Sequence, residues 1–222
     1  FGHIYRHGTR LYFPAAFLIK STLPFLLLLA AAFAVMATGR LKHRRELLFL
    51  LVPPAFFFAV AMHSTMNIGI RHILPIYPFL YVLVAGAAAW LIQKNPRWSY
   101  VVAALLIWQV ATSTRVAPAY MAYANEAWGG PSSLHKYLGD ANTDWGQHLK
   151  ATKQYLDSRG IKNCWFAYVA DGVVDTSYYG IPCERLPTVE NTLWLNLPMN
   201  VPPEIDGPVL ISDGVLAGID YG

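Results

Sequence analysis

Four apolar runs dominate the first half of the chain, Leu23 to Thr38, Leu47 to Met62, Ile73 to Ile92 and Trp98 to Thr112, and the charges of that half collect in the links between them. Runs this short, against the roughly twenty residues a bilayer asks for, also suit the core helices of a soluble protein. The links decide between the two. The first holds Arg40, Lys42, Arg44 and Arg45, the third holds Lys94 and Arg97, and the second offers only Arg71. By the positive-inside rule the first and third links are cytoplasmic, which puts Phe1 to Lys20, the Arg71-His72 link and everything after Thr114 on the outer side. The pattern therefore predicts four membrane spans at about 21–38, 46–64, 73–92 and 98–114. A shorter apolar segment, Leu11 to Ile19, precedes them at the interface.

Prolines punctuate this pattern. Pro24 has no N–H for the carbonyl of Lys20, so a break is expected between Leu11–Ile19 and the first span. Pro53-Pro54 strips donors from the carbonyls of Phe49 and Leu50 and predicts a kink in the second. Pro75 and Pro78 fall in the first turns of the third, where proline is tolerated best.

After Pro118 the pattern changes. An aromatic and glycine-rich junction, Tyr120 to Pro131, leads to a stretch with Asp144 as a helix N-cap, Trp145, Leu149, Thr152 and Leu156 at helical spacing, and Gly160 as C-terminal cap. Cys164 to Val169, Leu193 to Leu197 and Val209 to Ser212 read as strands. The fold class expected is thus a polytopic α-helical membrane region over residues 1–119, followed over 120–222 by an extracytoplasmic junction and a small α/β domain. A 55% hydrophobic content in 222 residues agrees with membrane residence. The chain opens at Phe1 without an initiator methionine or a leader, and truncation at both ends is expected. The net charge of +4 does not point to nucleic acid, because the basic residues flank apolar runs instead of mixing with aromatics on a soluble surface.

Candidate chemistry enters with Met66 to Pro78, where Arg71 and His72 sit between two apolar runs. A charged pair there needs water, headgroups or an anionic partner. The alternative is a polar turn whose side chains reach the interface. Cys164 and Cys183 are the only cysteines, both on the outer side, where either a disulfide or two free thiols is permitted. Asp140-Ala141-Asn142-Thr143-Asp144 begins like a calcium loop, but Trp145 stands where that loop needs glycine and Ala151 where it needs glutamate. No metal ligand set is visible, and a cofactor remains unassigned.

Three stretches carry a family resemblance: Gly2-His3-Ile4-Tyr5 through Tyr12-Phe13-Pro14 to Lys20, then Gly69-Ile70-Arg71-His72-Ile73-Leu74-Pro75, then Asn125-Glu126 through Gly129-Gly130-Pro131 with Asp140 to Gln147. Together they resemble the C-terminal half of bacterial phospholipid-carrier-dependent glycosyltransferases, GT-C-fold membrane enzymes related to the protein O-mannosyltransferases. The resemblance implies inverting transfer of a sugar from a polyprenyl-phosphate donor to an acceptor on the outer face of the bacterial inner membrane. It also implies a catalytic carboxylate in a first outer loop, acting as base toward the acceptor. No Asp or Glu occurs between Phe1 and Arg45, so no catalytic residue is expected in this chain and the base is expected upstream. What remains is anion binding: Arg71, with His72 and Lys20, is expected at the donor phosphate, and His3 and Tyr5 as residues lining the site. Trp128, Trp145 and the Tyr178-Tyr179 pair either stack on sugar or pack in a core.

Two other functions fit the same residues. A transporter segment explains broken helices and an intramembrane Arg-His pair. A non-catalytic membrane-anchored binding domain explains the soluble region.

Overall fold

The computed structural model describes residues 8–39, 44–169, 174–188 and 203–216. They fall into a helical unit ending at Ser133 and a sheet-bearing unit beginning at Leu134.

In the helical unit, α1 (Tyr12–Lys20) and α2 (Leu23–Ala37) meet at an angle of 113°. The break falls where Pro24 predicts it, with Ser21 and Thr22 extended between the helices. Asn125, in the junction over Tyr120 to Pro131, fills the gap. Its side-chain Nδ2 donates to the carbonyls of Leu18 (2.6 Å) and Ser21 (2.8 Å), and its backbone N–H donates to Ile19 (3.0 Å). A fully buried amide thus replaces the hydrogen bonds that the helix loses at its break.

The second predicted span is α3 (Arg44–Met62), which runs unbroken through Pro53 and Pro54. The third begins earlier than its apolar run suggests: a 3-10 turn over Ile70–Ile76 feeds directly into α4 (Tyr77–Lys94). Pro75 lies in that turn and Pro78 at the start of α4, where a missing N–H costs least. Last comes α5 (Trp98–Arg115).

Among the described residues two helical stretches, Arg45–Met62 and Ile70–Lys94, are long and apolar enough to cross a membrane, and α1 with α2 makes a third if the bent pair counts as one span. The helix α5 has a span's length, 18 residues, but Ser99, Gln109, Thr112, Ser113 and Thr114 hold it below the apolarity of the others. Phe13, Phe25, Leu29, Ile73, Leu80 and Leu83 form the centre of the unit. Leu48, Phe49, Val52 and Phe56 of α3 and Leu106, Ile107 and Val110 of α5 point away from it and are exposed. A patch of that extent suits hydrocarbon and not water.

Among the described residues the sheet-bearing unit has three short parallel strands in the order β2-β1-β3: β1 (Trp165–Ala167), β2 (Glu184–Arg185) and β3 (Val209–Ile211). Phe166 of β1 pairs with Arg185 on one side and Leu210 on the other. The helix α6 (Leu149–Arg159) lays Leu149 and Leu156 against Phe166, Tyr168 and Ile181, and Gly160 ends it in the left-handed conformation (φ 64°). Cys164 and Cys183 form a disulfide with Cα atoms 4.3 Å apart, tying the start of β1 to the residue before β2. A four-residue helix, α7 (Asp213–Leu216), follows β3.

Two expectations change here. The strand pairing with β1 on its other side, β2, was not foreseen, whereas the strand expected over Leu193–Leu197 lies outside the described residues. The helix expected from Asp144 begins instead at Leu149, with His148 as its N-cap residue. Asp144 is engaged in a tighter turn: its Oδ1 accepts from the N–H of Gly146 (2.9 Å), and Gly146 takes φ 84°. Such a local side-chain bond competes directly with helix initiation.

Candidate functional site

The 3-10 turn positions the Arg71-His72 pair. Ile73 and Ile76 are buried in the core of the helical unit, so the same turn carries Arg71 outward, where it is exposed, and leaves His72 half-buried. Gly69 precedes the turn with φ 140°, a conformation that a side chain would strain. The ring of His72 meets Phe13 of α1 edge-on, with centroids 6.4 Å apart.

Segment 8–10 closes one flank. A Cβ on Gly8, which has φ 67°, would stand 2.7 Å from Asn67 Nδ2 and 2.9 Å from the Thr65 carbonyl, so only glycine permits this approach. Asn67 Nδ2 donates to the Thr9 carbonyl (3.3 Å). Among the described residues, two buried polar atoms in this neighbourhood have no hydrogen-bond partner: His72 Nε2 and Asn67 Oδ1. Leaving such groups unpaired costs about 1–3 kcal/mol each. Asn67 was not singled out from the sequence, since an asparagine in a loop carries no distinguishing signal there.

The other predicted residues fare differently. Lys20 ends α1 seven residues beyond Phe13, about 10 Å along the helix, and its Nζ donates to the carbonyl of Met121. Arg71 and His72 are thus neighbours on one turn, the first exposed and the second half-buried against Phe13, whereas Lys20 lies at the α1–α2 break. His3 and Tyr5 lie outside the described residues. Near that break, Thr112 donates to Glu126 Oε1 (3.1 Å), and burial, with the Glu126 carboxylate adding to it, raises the pKa of Tyr123.

A cavity of about 300 Å³ opens at the opposite end of α4, between the end of α2 and the start of α3. Met36, Leu47, Leu83 and Trp90 give it an apolar wall, with Glu46 and Gln93 as polar residues. It contains none of the predicted site residues.

In the sheet-bearing unit Trp145 is 53% exposed and Tyr178 86% exposed, whereas Tyr179 packs against the core. Tyr178 stands edge-on to Tyr179 on a turn capped by Asp175, whose Oδ1 accepts from Ser177 N–H (2.9 Å) and from Arg185 (3.0 Å). Gln147 braces the Trp145 turn: its Oε1 accepts from Trp145 N–H (2.7 Å), and its Nε2 donates to the Thr143 carbonyl (3.1 Å). Among the described residues no three His, Cys, Asp or Glu side chains are arranged to hold a metal ion.

Compared with known proteins, the chain matches no family model, no curated protein and no solved structure.

Proposed function

We propose that this chain is part of an integral membrane glycosyltransferase in which Arg71 and His72 hold the phosphate of a polyprenyl-phosphate-linked sugar at the outer face of the bacterial inner membrane. The observation that carries the reading is the buried Nε2 of His72, which has no hydrogen-bond partner among the described residues, beside an exposed arginine in the first turn of a membrane-length helix. A lipid phosphate sits at the boundary between headgroups and hydrocarbon, which is where the first turn of such a helix lies. Guanidinium binds phosphate through two parallel N–H donors, and in the tautomer that carries its hydrogen on Nε2 the imidazole adds a third.

Chemically, the task is to stabilise the charge that grows on the lipid phosphate as the glycosidic bond breaks. Preorganised donors do this without reorganisation at the moment of reaction. The base that activates the acceptor is not assigned to any described residue. Four spans, with basic links inside and the sheet-bearing unit outside, complete the reading, and the sorting of Arg40, Lys42, Arg44, Arg45, Lys94 and Arg97 supports it.

The test is Arg71→Ala in the full-length protein, assayed in membranes for transfer from a polyprenyl-phosphate-linked sugar. Loss of a donor that acts on developing charge is worth roughly 10²–10³ in kcat. Arg71→Lys keeps the charge but loses the bidentate geometry and should recover only part of the rate. An unchanged rate and donor affinity in Arg71→Ala would remove the phosphate-binding role.

A further inference from the structure

The cavity at the end of α4 remote from Arg71 and His72 has the shape of a groove. Leu83, Gly86, Trp90 and Gln93 follow one another at helical spacing along one face of α4 and line it lengthwise, while the end of α2 and the start of α3 complete the lining. Leu83 is buried, whereas Val82 and Gly86 are exposed, so the groove has a closed floor and an open side. Trp90 lies about 20 Å along α4 from Tyr77, well away from the Arg71-His72 turn.

Its dimensions select a chain-like occupant. From Leu83 to Gln93 the helix rises about 15 Å. That is half the roughly 30 Å thickness of a bilayer's hydrocarbon core, the reach of an acyl chain in one leaflet. A volume of about 300 Å³ over that length leaves a cross-section of about 20 Å², wide enough for one extended hydrocarbon chain and far too narrow for a helix, which is about 10 Å across with its side chains.

The polar groups gather at one end. Glu46 of α3 and Gln93 of α4 both line the groove, and their chain neighbours Arg45 and Lys94 are exposed. Arg45 opens one apolar stretch and Lys94 closes the other, which sets this end at the boundary of the hydrocarbon. Lys94 is held over the lining itself: its Nζ stands 5.7 Å from the centroid of the Trp90 ring. Glu46 is the only acidic residue of the chain before Glu126, so cations outnumber carboxylates at this mouth. Basic pockets between membrane helices favour anionic headgroups, and tryptophan favours the headgroup level.

We propose that this groove holds one acyl chain of an anionic phospholipid, with the lipid phosphate at Lys94 and Arg45. The polyprenyl-linked donor is not the occupant, because its phosphate is assigned to Arg71 at the other end of the same helix. The site rests on the membrane placement of α3 and α4 and not on the transfer reaction.

Native mass spectrometry of the full chain in neutral detergent, titrated with phosphatidylglycerol or with phosphatidylcholine, tests this. One phosphatidylglycerol per chain should be retained at concentrations where phosphatidylcholine is not. Gly86 offers a way to fill the groove, since a Cβ there meets no atom within 4 Å. Gly86→Leu should weaken retention at least tenfold while the melting temperature holds or rises, leucine being the better helix former. Arg45→Gln and Lys94→Gln, both at exposed positions, should each weaken it about fivefold. Equal retention of the two lipids overturns the proposal, as does retention of phosphatidylglycerol that the Arg45→Gln/Lys94→Gln double variant leaves intact. Retention that survives Gly86→Leu would show a headgroup bound without its chain, and displacement by a polyprenyl phosphate at lower concentration than by phosphatidylglycerol would give the groove to the donor; either result also overturns it. Arg71→Ala should leave phosphatidylglycerol retention unchanged even where transfer is lost, which separates this site from the donor site.

Discussion

Replacing Asn125 by alanine should destabilise the helical unit more than any single apolar truncation on its surface. The side chain is fully buried and its Nδ2 serves two carbonyls, those of Leu18 and Ser21, that the α1–α2 break leaves without helical partners. Its Oδ1 also accepts from the N–H of Ala127 (3.2 Å). Each hydrogen bond contributes about 1 kcal/mol net, but stranding a buried carbonyl raises the loss to about 1–3 kcal/mol for each of the two. A total of roughly 3–5 kcal/mol follows from the same bookkeeping. At about 2–4 °C per kcal/mol, the melting temperature should fall by roughly 6–20 °C. The assay is thermal unfolding of purified protein in a mild detergent, followed by intrinsic fluorescence. Asn125→Asp is the informative companion: it keeps the shape and the acceptor but removes the donors and turns a carboxylate toward two carbonyls, so it should be at least as damaging. If Asn125→Ala melts within about 2 °C of the parent, corresponding to under 1 kcal/mol on the same scale, the amide is not what holds the break together.

Two further outcomes are expected. The Cys164–Cys183 bridge spans a sequence separation of 19 residues, and a closed loop of about that length stabilises by about 3 kcal/mol. Reductant should therefore lower the melting temperature of the parent and leave the Cys164→Ala/Cys183→Ala variant unaffected; equal sensitivity of the two would contradict the bridge. Because both native cysteines are paired, an introduced thiol reports topology cleanly. Thr65→Cys, between α3 and α4, should react with a membrane-impermeant maleimide on intact cells, and Asn95→Cys, between α4 and α5, only after permeabilisation. The reverse pattern would invert the orientation.

The helices were largely legible because their causes are local. Pro24 predicts the α1–α2 break by removing one donor, and Gly160 predicts the end of α6 by tolerating a left-handed backbone. At Pro53-Pro54 the helix α3 continues through both residues. Asp144 misled because two local outcomes compete for one carboxylate, a helix cap and a turn onto Gly146. Spacing does not choose between them.

The sites divide in the same way. Arg71 and His72 stood out in the sequence because charge between apolar runs is costly wherever it occurs. The unpartnered Nε2 of His72 and Oδ1 of Asn67, and the distance of Lys20 from them along α1, depend on which neighbours pack around each atom.

By itself, then, the sequence determined where helices run, where they break and which segments are apolar enough for lipid, since hydrophobic transfer and backbone donor loss act residue by residue. The tertiary structure alone decided that Asn125 seals the α1–α2 break, that Cys164 and Cys183 pair, and that β1 lies between β2 and β3. Those are contacts between distant residues, whose free energy exists only once the chain has brought them together.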